Sequence, residues 1–350
     1  MVRLSPHSDL GSGLVGGIVI GASSTLLILF NKKISGMSGI VKTFIKDSPS
    51  TYATSYISGL LASGFVLNHF APGSFGETGG PALTSVGYAL SGLLVGFGAS
   101  LSNGCTSGHG VCGLPRLSPR SLVAVGTFMS TGFLTAGLVR GSAVLYAAAS
   151  KGATSSSPLP AMAALGATTL LLSFGPRVTA VALDRVKQAK LLSIATKLGE
   201  SSMTECLSAF ACAFIFGLGL GVSGMTNPQK VVGFLDALHP THGWDPSLAA
   251  VMGGAVAFNL VSFPFLQGAS REHAKALNRS PAFSAQDLTD WRLVTGAALF
   301  GIGWGLGGVC PGPALVSLGA GRPLALGVVP WMLVGIAAAE LGFGSSFSFL

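Results

Sequence analysis

Long apolar stretches alternate with short polar segments along the whole of this chain. Nine of the stretches are close to the length of about 20 residues that a helix needs to cross a bilayer. They lie at 12–31, 51–70, 85–103, 121–142, 158–180, 204–222, 247–268, 291–309 and 323–343. The pattern predicts an all-α integral membrane protein with about nine transmembrane helices.

Four of the apolar helices run into a polar break that is followed by a second, shorter apolar stretch. The breaks are ISGMSGIV (34–41), LSNGCTSGHGVCG (101–113), VSGMTNPQKVVGF (222–234) and GGVCPGPALVSL (307–318). The first matches the third through the triplet SGM, and the second matches the fourth through a cysteine that follows spaced glycines. The chain is therefore interpreted as a diverged duplication. Its predicted parts are a first half at 1–180, a connecting loop at 181–203 and a second half at 204–350.

The stretches that follow the breaks are too short to cross a membrane. They cover roughly 38–46, 106–113, 228–237 and 312–319. A ten-residue helix is only about 15 Å long, half the thickness of a ~30 Å hydrocarbon core. Irregular backbone at that depth persists only where it is buried in protein or lines a cavity. We therefore expect four re-entrant half-helices, and helices broken at matching positions of two halves indicate a transporter's binding site.

Composition and charge support a membrane protein and predict its orientation. Charged residues make up 9% of the chain, whereas soluble proteins carry about 25%. The net charge of +8 comes from residues that flank the predicted helices, which favours contact with anionic lipid headgroups over nucleic acid. Odd-numbered loops hold 15 Lys and Arg residues and even-numbered loops hold 5. The positive-inside rule then places the N-terminus outside and the C-terminus in the cytoplasm, with the cell membrane as the expected location.

The same orientation puts the first two breaks on the cytoplasmic face and their repeats on the outer face. Equivalent segments that enter from opposite faces are typical of an inverted repeat, whose two-fold axis lies in the membrane plane. The charge count and the matching of the breaks are independent observations, and they agree.

Cysteine placement adds chemistry to the breaks. The five cysteines show neither a C-x-x-C pair nor zinc spacing, so we expect no metal and no cofactor. Cys105 and Cys310 occupy matching positions, each between a long helix and a short one. A thiol is a weak S–H donor with a soft sulfur, which suits a sulfur-bearing anion better than a hard oxyanion. Arginine would be expected for the latter.

The starts of the half-helices supply a second expectation. The first turn of a helix leaves N–H groups unpaired and carries a partial positive charge. Four such starts that converge would form an anion site without a buried Arg or Lys. The predicted N-caps are Ser38, Thr106 or Ser107, and Asn227.

Several candidates also have an ordinary structural interpretation. Glycines pack membrane helices, His109 is a lone histidine that could cap, donate or titrate, and the two SGM methionines suit a helix crossing as filling. Cys206 and Cys212 are more consistent with small buried hydrophobes, and Cys112 is left open. The full set of candidate binding and transport residues is Met37, Ser38, Gly104, Cys105, Thr106, Ser107, Gly108, His109, Met225, Asn227, Gly308, Cys310 and Gly312.

The segments SNGCTSGHGVCGLPRLSPRS, FGLGLGVSGMTNPQKVVGFLD and GWGLGGVCPGPAL resemble the YeeE/YedE sulfur-transport family, and the similarity covers nearly the whole chain. The resemblance implies uptake of thiosulfate or a related sulfur anion by an hourglass-shaped protein whose half-helices meet at a constriction. Cys105 and Cys310 match two cysteines that pass the substrate inward there through S–H contacts. A third family cysteine, near the first break, has no counterpart in GASSTLLILFNKKISGMSGI. The expected partners are the bilayer, a small inorganic sulfur anion and a cytoplasmic protein that accepts sulfur.

Three alternatives remain beside thiosulfate transport. One is a transporter or channel for another sulfur species, sulfite or sulfide. The second is an aquaporin-like pore, although the matched Asn-Pro-Ala boxes that it needs are absent from the sequence. The third is a membrane sulfurtransferase or thiol oxidoreductase that acts covalently at Cys105, but no activating base or resolving cysteine accompanies it. We therefore do not expect an enzyme.

Overall fold

A computed structural model describes residues 9–46, 50–76, 83–139, 145, 200–237, 244–277 and 290–343. Within these residues every regular element is a helix. The α-helices are α1 (Leu10–Asn31), α2 (Met37–Lys46), α3 (Thr51–Phe70), α4 (Ser85–Leu101), α5 (Pro119–Val139), α6 (Glu200–Val222), α7 (Pro228–Leu235), α8 (Ser247–Ala269), α9 (Arg271–Leu277), α10 (Trp291–Gly307), α11 (Pro311–Gly319) and α12 (Pro323–Phe343). A 3₁₀ turn covers Pro72–Phe75, and a π-helix covers Thr106–Gly113 between α4 and α5.

The described helices make this an all-α membrane protein. Five of them (α1, α5, α6, α8 and α12) are long and apolar enough to cross a bilayer. Two bent pairs raise the number to seven when each pair counts as one span: α4 with the π-helix at 49°, and α10 with α11 at 41°. Large apolar side chains such as Phe65 (70% exposed) and Leu138 (80% exposed) point away from the protein. Exposed apolar area on this scale suits a lipid boundary.

Most of the predicted spans coincide with described helices. The predicted span at 158–180 and nearly all of the connecting loop at 181–203 lie outside the described residues. Helix α3 has the predicted length but is less apolar than the five helices above. Its polar side chains Tyr52, Tyr56 and Ser63 are buried against neighbouring helices, so its composition reflects protein contacts rather than lipid contacts.

A short helix follows each of the four breaks, as the pattern of interrupted hydrophobicity predicts. These helices are α2, the π-helix, α7 and α11, and each has eight to ten residues. At 1.5 Å per residue, an α-helix of this length covers less than half of a bilayer core. Each therefore needs the long helices around it to cover its ends.

The long helices pack with a two-fold pattern. Matching the breaks makes α1 equivalent to α6, α3 to α8, α4 to α10 and α5 to α12. The equivalent helices α1 and α6 contact each other, and so do α4 and α10. The contact of α1 with α8 is repeated by that of α6 with α3, and the contact of α4 with α12 is repeated by that of α10 with α5.

The directions of the paired helices define the symmetry axis. Along α1 and α6, the Ser23 hydroxyl donates to the carbonyl of Cys212 at 2.6 Å, and Asn31 Nδ2 donates to the carbonyl of Glu205 at 2.8 Å. Residue numbers rise in one helix as they fall in the other, so the pair is antiparallel. Helices α4 and α10 are also antiparallel, since Ser91 contacts Gly303 and Gly98 contacts Phe300.

A two-fold axis that relates antiparallel neighbours is perpendicular to them. If these helices cross the membrane, the axis lies in the membrane plane, as an inverted repeat requires. Which face is cytoplasmic stays a prediction from the charge count.

Candidate functional site

A cavity of about 280 Å³ lies where the four breaks meet. Each short helix contributes to its wall: Met37 begins α2, Thr106 begins the π-helix, Phe234 lies near the end of α7, and Gly312 lies in the first turn of α11. The sequence predicted that the starts of the half-helices meet near the middle of the protein; α2, the π-helix and α11 reach the cavity at their starts, whereas α7 reaches it near its end. The cavity is the space that this meeting leaves.

Six sulfur-bearing side chains line the cavity, and they come from both halves of the chain. They are Met37, Cys105, Met129, Met225, Met252 and Cys310. Among the described residues that form the wall, none carries a charged side chain. The wall is thus soft, polarisable and largely apolar, with its polar atoms concentrated at the start of the π-helix.

Two of these methionines were missed by sequence reasoning. Met129 on α5 and Met252 on α8 lie in the middle of long apolar helices with no motif around them. No sequence pattern marks them, and only the structure shows that half of the eight methionines in the chain line this one cavity.

Cys105 and Cys310 take equivalent places in the two halves. Cys105 precedes the π-helix with φ −130° and ψ −166°, and Cys310 precedes α11 with φ −120° and ψ 169°. Neither side chain caps its own helix. Both residues are buried from outside solvent and border the cavity.

Two hydroxyls at the start of the π-helix hold these thiols. The Thr106 hydroxyl donates to Cys310 Sγ at 3.5 Å, which links the first half of the chain to the second. Ser107 Oγ lies 3.2 Å from Cys105 Sγ and accepts the backbone N–H of Met37 at 3.1 Å. One two-residue segment therefore touches both cysteines and the start of α2.

The predicted N-caps are only partly correct. Asn227 caps α7 by accepting the Gln229 N–H at 3.0 Å. Ser38 lies inside α2, and Thr106 and Ser107 lie inside the π-helix. The π-helix begins directly after Cys105, whose carbonyl accepts the His109 N–H at 2.9 Å, so the cysteine occupies the cap position. Ser107 caps a neighbouring helix, α2, instead of its own.

The backbone donors at the helix starts are fewer than the sequence analysis expected. Pro311 and Pro313 have no N–H, which leaves Gly312 as the donor of the first turn of α11. In α7, Asn227 already occupies the Gln229 N–H. Proline is common in the first turn because its φ suits the start of a helix. Its ring also removes the backbone N–H group, however, and an anion site depends on such donors. The polar part of the cavity wall therefore depends more on thiols and hydroxyls, and less on backbone N–H groups, than the sequence analysis expected.

His109 does not line the cavity. Its Nε2 is 3.4 Å from the carbonyl of Ser102, and its Nδ1 is 3.2 Å from Ser121 Oγ. In the neutral tautomer that satisfies both contacts, Nε2 donates to the carbonyl and Nδ1 accepts from the serine hydroxyl. The ring packs against Gly104, where any Cβ would overlap it. His109 and Gly104 thus help to position the π-helix without lining the cavity.

The remaining candidates shape the crossing of the breaks. Gly108 lies against Gly36 of the first break, so the first two breaks are in contact. Gly308 has φ +64° and lies so close to the Pro228 carbonyl that a side chain would overlap it. Ser38 is buried next to Met37. These residues, with Asn227, support the cavity without lining it.

A cavity where short helices from the two halves of a membrane protein meet fits the architecture of membrane transport proteins. Comparison with known proteins agrees with this class. The chain is 39% identical over 128 residues to a "Probable transporter" of Xylella fastidiosa strain Temecula1, an alignment that covers 83% of that protein and 37% of this chain. It is 37% identical over 123 residues to another "Probable transporter" of strain 9a5c, covering 90% of that protein and 35% of this chain.

Residues 204–344 also match the model described as "Family of unknown function (DUF6691)". Because the alignments cover most of these relatives, the chain belongs to the family of these probable transporters. The relatives are less than half as long as this chain.

Proposed function

We propose that this protein transports a small sulfur-containing anion across the membrane, with thiosulfate as the preferred substrate. The observation that carries the proposal is the cavity wall, in which two cysteines and four methionines surround about 280 Å³ without a charged side chain. The probable transporters of the same family support transport in general. The resemblance of the break motifs to the YeeE/YedE family supports sulfur as the element recognised.

The chemistry of the wall favours a polarisable sulfur over a hard oxygen. Thiosulfate and sulfate have the same charge and a similar tetrahedral shape, but thiosulfate has a terminal sulfur in place of one oxygen. Burying a charge without a partner is costly, so the strongly hydrated sulfate has little to gain from this cavity. The terminal sulfur of thiosulfate can instead accept S–H hydrogen bonds and contact thioether sulfurs.

Sulfide is the second candidate, and the same wall is the observation that favours it. A site without a buried cation suits a neutral or singly charged species better than a dianion, because the desolvation penalty rises with charge. Covalent sulfur transfer has less support. The described wall offers Cys105 no base, since both ring nitrogens of the nearby His109 are occupied elsewhere.

Flux through the purified protein in proteoliposomes tests the proposal. We expect saturable entry of radiolabelled thiosulfate, competition by unlabelled sulfide or sulfite, and weak competition by sulfate at equal concentration. Equal competition by sulfate would show that the wall does not distinguish sulfur from oxygen. Absence of thiosulfate entry together with entry of sulfide would replace the preferred substrate by the second candidate. The orientation, and a cytoplasmic acceptor of the delivered sulfur, are further parts of the proposal.

A further inference from the structure

The hydrogen bonds at the start of the π-helix indicate where the S–H protons of Cys105 and Cys310 point. Thr106 and Ser107 are adjacent, and each touches one cysteine of the cavity. The direction of each bond can be deduced from the number of donors that each group owns.

Ser107 has one proton to donate and is buried. Its oxygen already accepts the N–H of Met37 at 3.1 Å. The other partner recorded for this hydroxyl is Cys105 Sγ at 3.2 Å. The distance fits either direction, and we assign the hydroxyl of Ser107 as the donor to the sulfur of Cys105, because its oxygen is already an acceptor and buried hydroxyl protons are nearly always paired.

The second bond has the same direction. The Thr106 hydroxyl donates to Cys310 Sγ at 3.5 Å. Each cysteine sulfur therefore accepts a hydrogen bond from a hydroxyl, and the S–H proton of each is left to point elsewhere. Both cysteines border the cavity, so the cavity is the space open to both protons.

We infer that Thr106 and Ser107 are positioning residues, which turn the S–H groups of Cys310 and Cys105 toward the transported species. The inference rests on the proposed function, because it assigns the sulfur contacts of that function to donated S–H bonds. A hydroxyl that donates to a sulfur also increases the acidity of its S–H, which strengthens the bond that the thiol gives in turn.

Other hydroxyls of the same protein show that this arrangement is not the default. Thr127, Thr131 and Thr135 on α5 each donate to the carbonyl four residues earlier in their own helix. That is the ordinary use of a threonine within a helix. Thr106 and Ser107 lie in the first turn of the π-helix, and their hydroxyls contact the sulfurs of Cys310 and Cys105 instead.

The S–H stretching band in the infrared spectrum of the purified protein in lipid provides a direct test. Cys105→Ala and Cys310→Ala identify the band of each thiol by its loss. Thr106→Val should shift the Cys310 band and leave the Cys105 band in place, and Ser107→Ala should do the reverse. Thr106→Ser should restore the native spectrum, and Thr127→Val is the matched control that should change neither band.

Transport selectivity is the second readout. Losing one oriented S–H bond should lower the preference for thiosulfate over sulfate by about two- to tenfold at most in Thr106→Val, with Thr106→Ser close to the native value. Unshifted bands in both Thr106→Val and Ser107→Ala would overturn the inference. Shifted bands in a protein that shows no preference for thiosulfate would support the positioning role and refute the proposed function. If Ser107→Ala fails to fold because α2 loses its cap, Thr106→Val alone decides, since Thr106 caps no helix.

Discussion

Replacing each cavity cysteine by alanine separates the recognition of sulfur from the packing of the protein. Cys105→Ala and Cys310→Ala each remove one sulfur from the wall of the cavity and leave the backbone of the break in place. Cys212→Ala is the matched control, because Cys212 is equally buried on α6 but does not line the cavity. We expect a large effect on flux in the first two variants and a small one in the control.

The expected magnitudes follow from the contacts. A single sulfur hydrogen bond contributes about 0.5–1.5 kcal/mol, so each cavity variant should lose two- to tenfold of the preference for thiosulfate. The hydroxyl that donated to the sulfur loses its acceptor, which costs about 1 kcal/mol of stability. Removing Cys212 leaves a small void of comparable cost, about 0.5–1 kcal/mol. All three variants should therefore unfold within a few degrees of one another.

The assay combines thiosulfate and sulfate flux in proteoliposomes with thermal unfolding in detergent. The expected result is loss of selectivity in Cys105→Ala and Cys310→Ala, native selectivity in Cys212→Ala, and similar melting temperatures. Equal loss of flux in all three would show that the cysteines act through packing. Full flux and full selectivity in both cavity variants would refute the assignment of the site.

Three further predictions concern the scaffold. Gly98→Val should abolish folding into a monodisperse protein on size-exclusion chromatography, because even a Cβ at Gly98 would overlap the backbone of α10 at Phe300. Lys42→Met should lower the unfolding free energy by about 1–3 kcal/mol, because it breaks the 2.6 Å ion pair with Glu340 in a site where both side chains are mostly buried. In a variant without other cysteines, Lys33→Cys should react with an impermeant maleimide from the cytoplasmic side and Arg322→Cys from the outside, as the positive-inside rule requires.

Each of these has a control and a contradicting result. Gly39→Ala should fold normally, since nothing lies within 4 Å of the added Cβ; normal folding of Gly98→Val would mean that α4 and α10 are not in close contact. Lys230→Met should cost less stability than Lys42→Met, because Lys230 attracts Asp9 only at longer range and forms no direct ion pair within the described part of the chain, and a loss equal to that of Lys42→Met would exclude the ion pair as the cause. Labelling from the same side at both positions would contradict the orientation.

The sequence was sufficient to predict the long helices and the places where they break. Helix α3 covers Thr51–Phe70, the same bounds as the predicted span, because hydrophobicity changes abruptly at its ends. The four short helices were predictable for the same reason. Hydrophobic length is a local property, so it can be read from neighbouring residues alone.

The details of the site depend on contacts between distant parts of the chain and could not be predicted. Whether Ser107 caps its own helix or α2 depends on how the first two breaks cross. The contribution of Met129 and Met252 depends on the rotation of two long helices that carry no motif. His109 lies in a conspicuous motif but behind the cavity, because Ser102 and Ser121 hold both sides of its ring.

The two-fold packing has a consequence for the two ends of the molecule. A pore assembled from two identical copies must present the same chemistry at both openings. Here both halves belong to one chain, so equivalent positions can mutate independently. Lys42 on α2 and Lys230 on α7 are such a pair: the first is neutralised by Glu340 and the second has no ion-pair partner among the described residues. A two-fold scaffold within one chain can thus become polarised, with each opening tuned by its own substitutions.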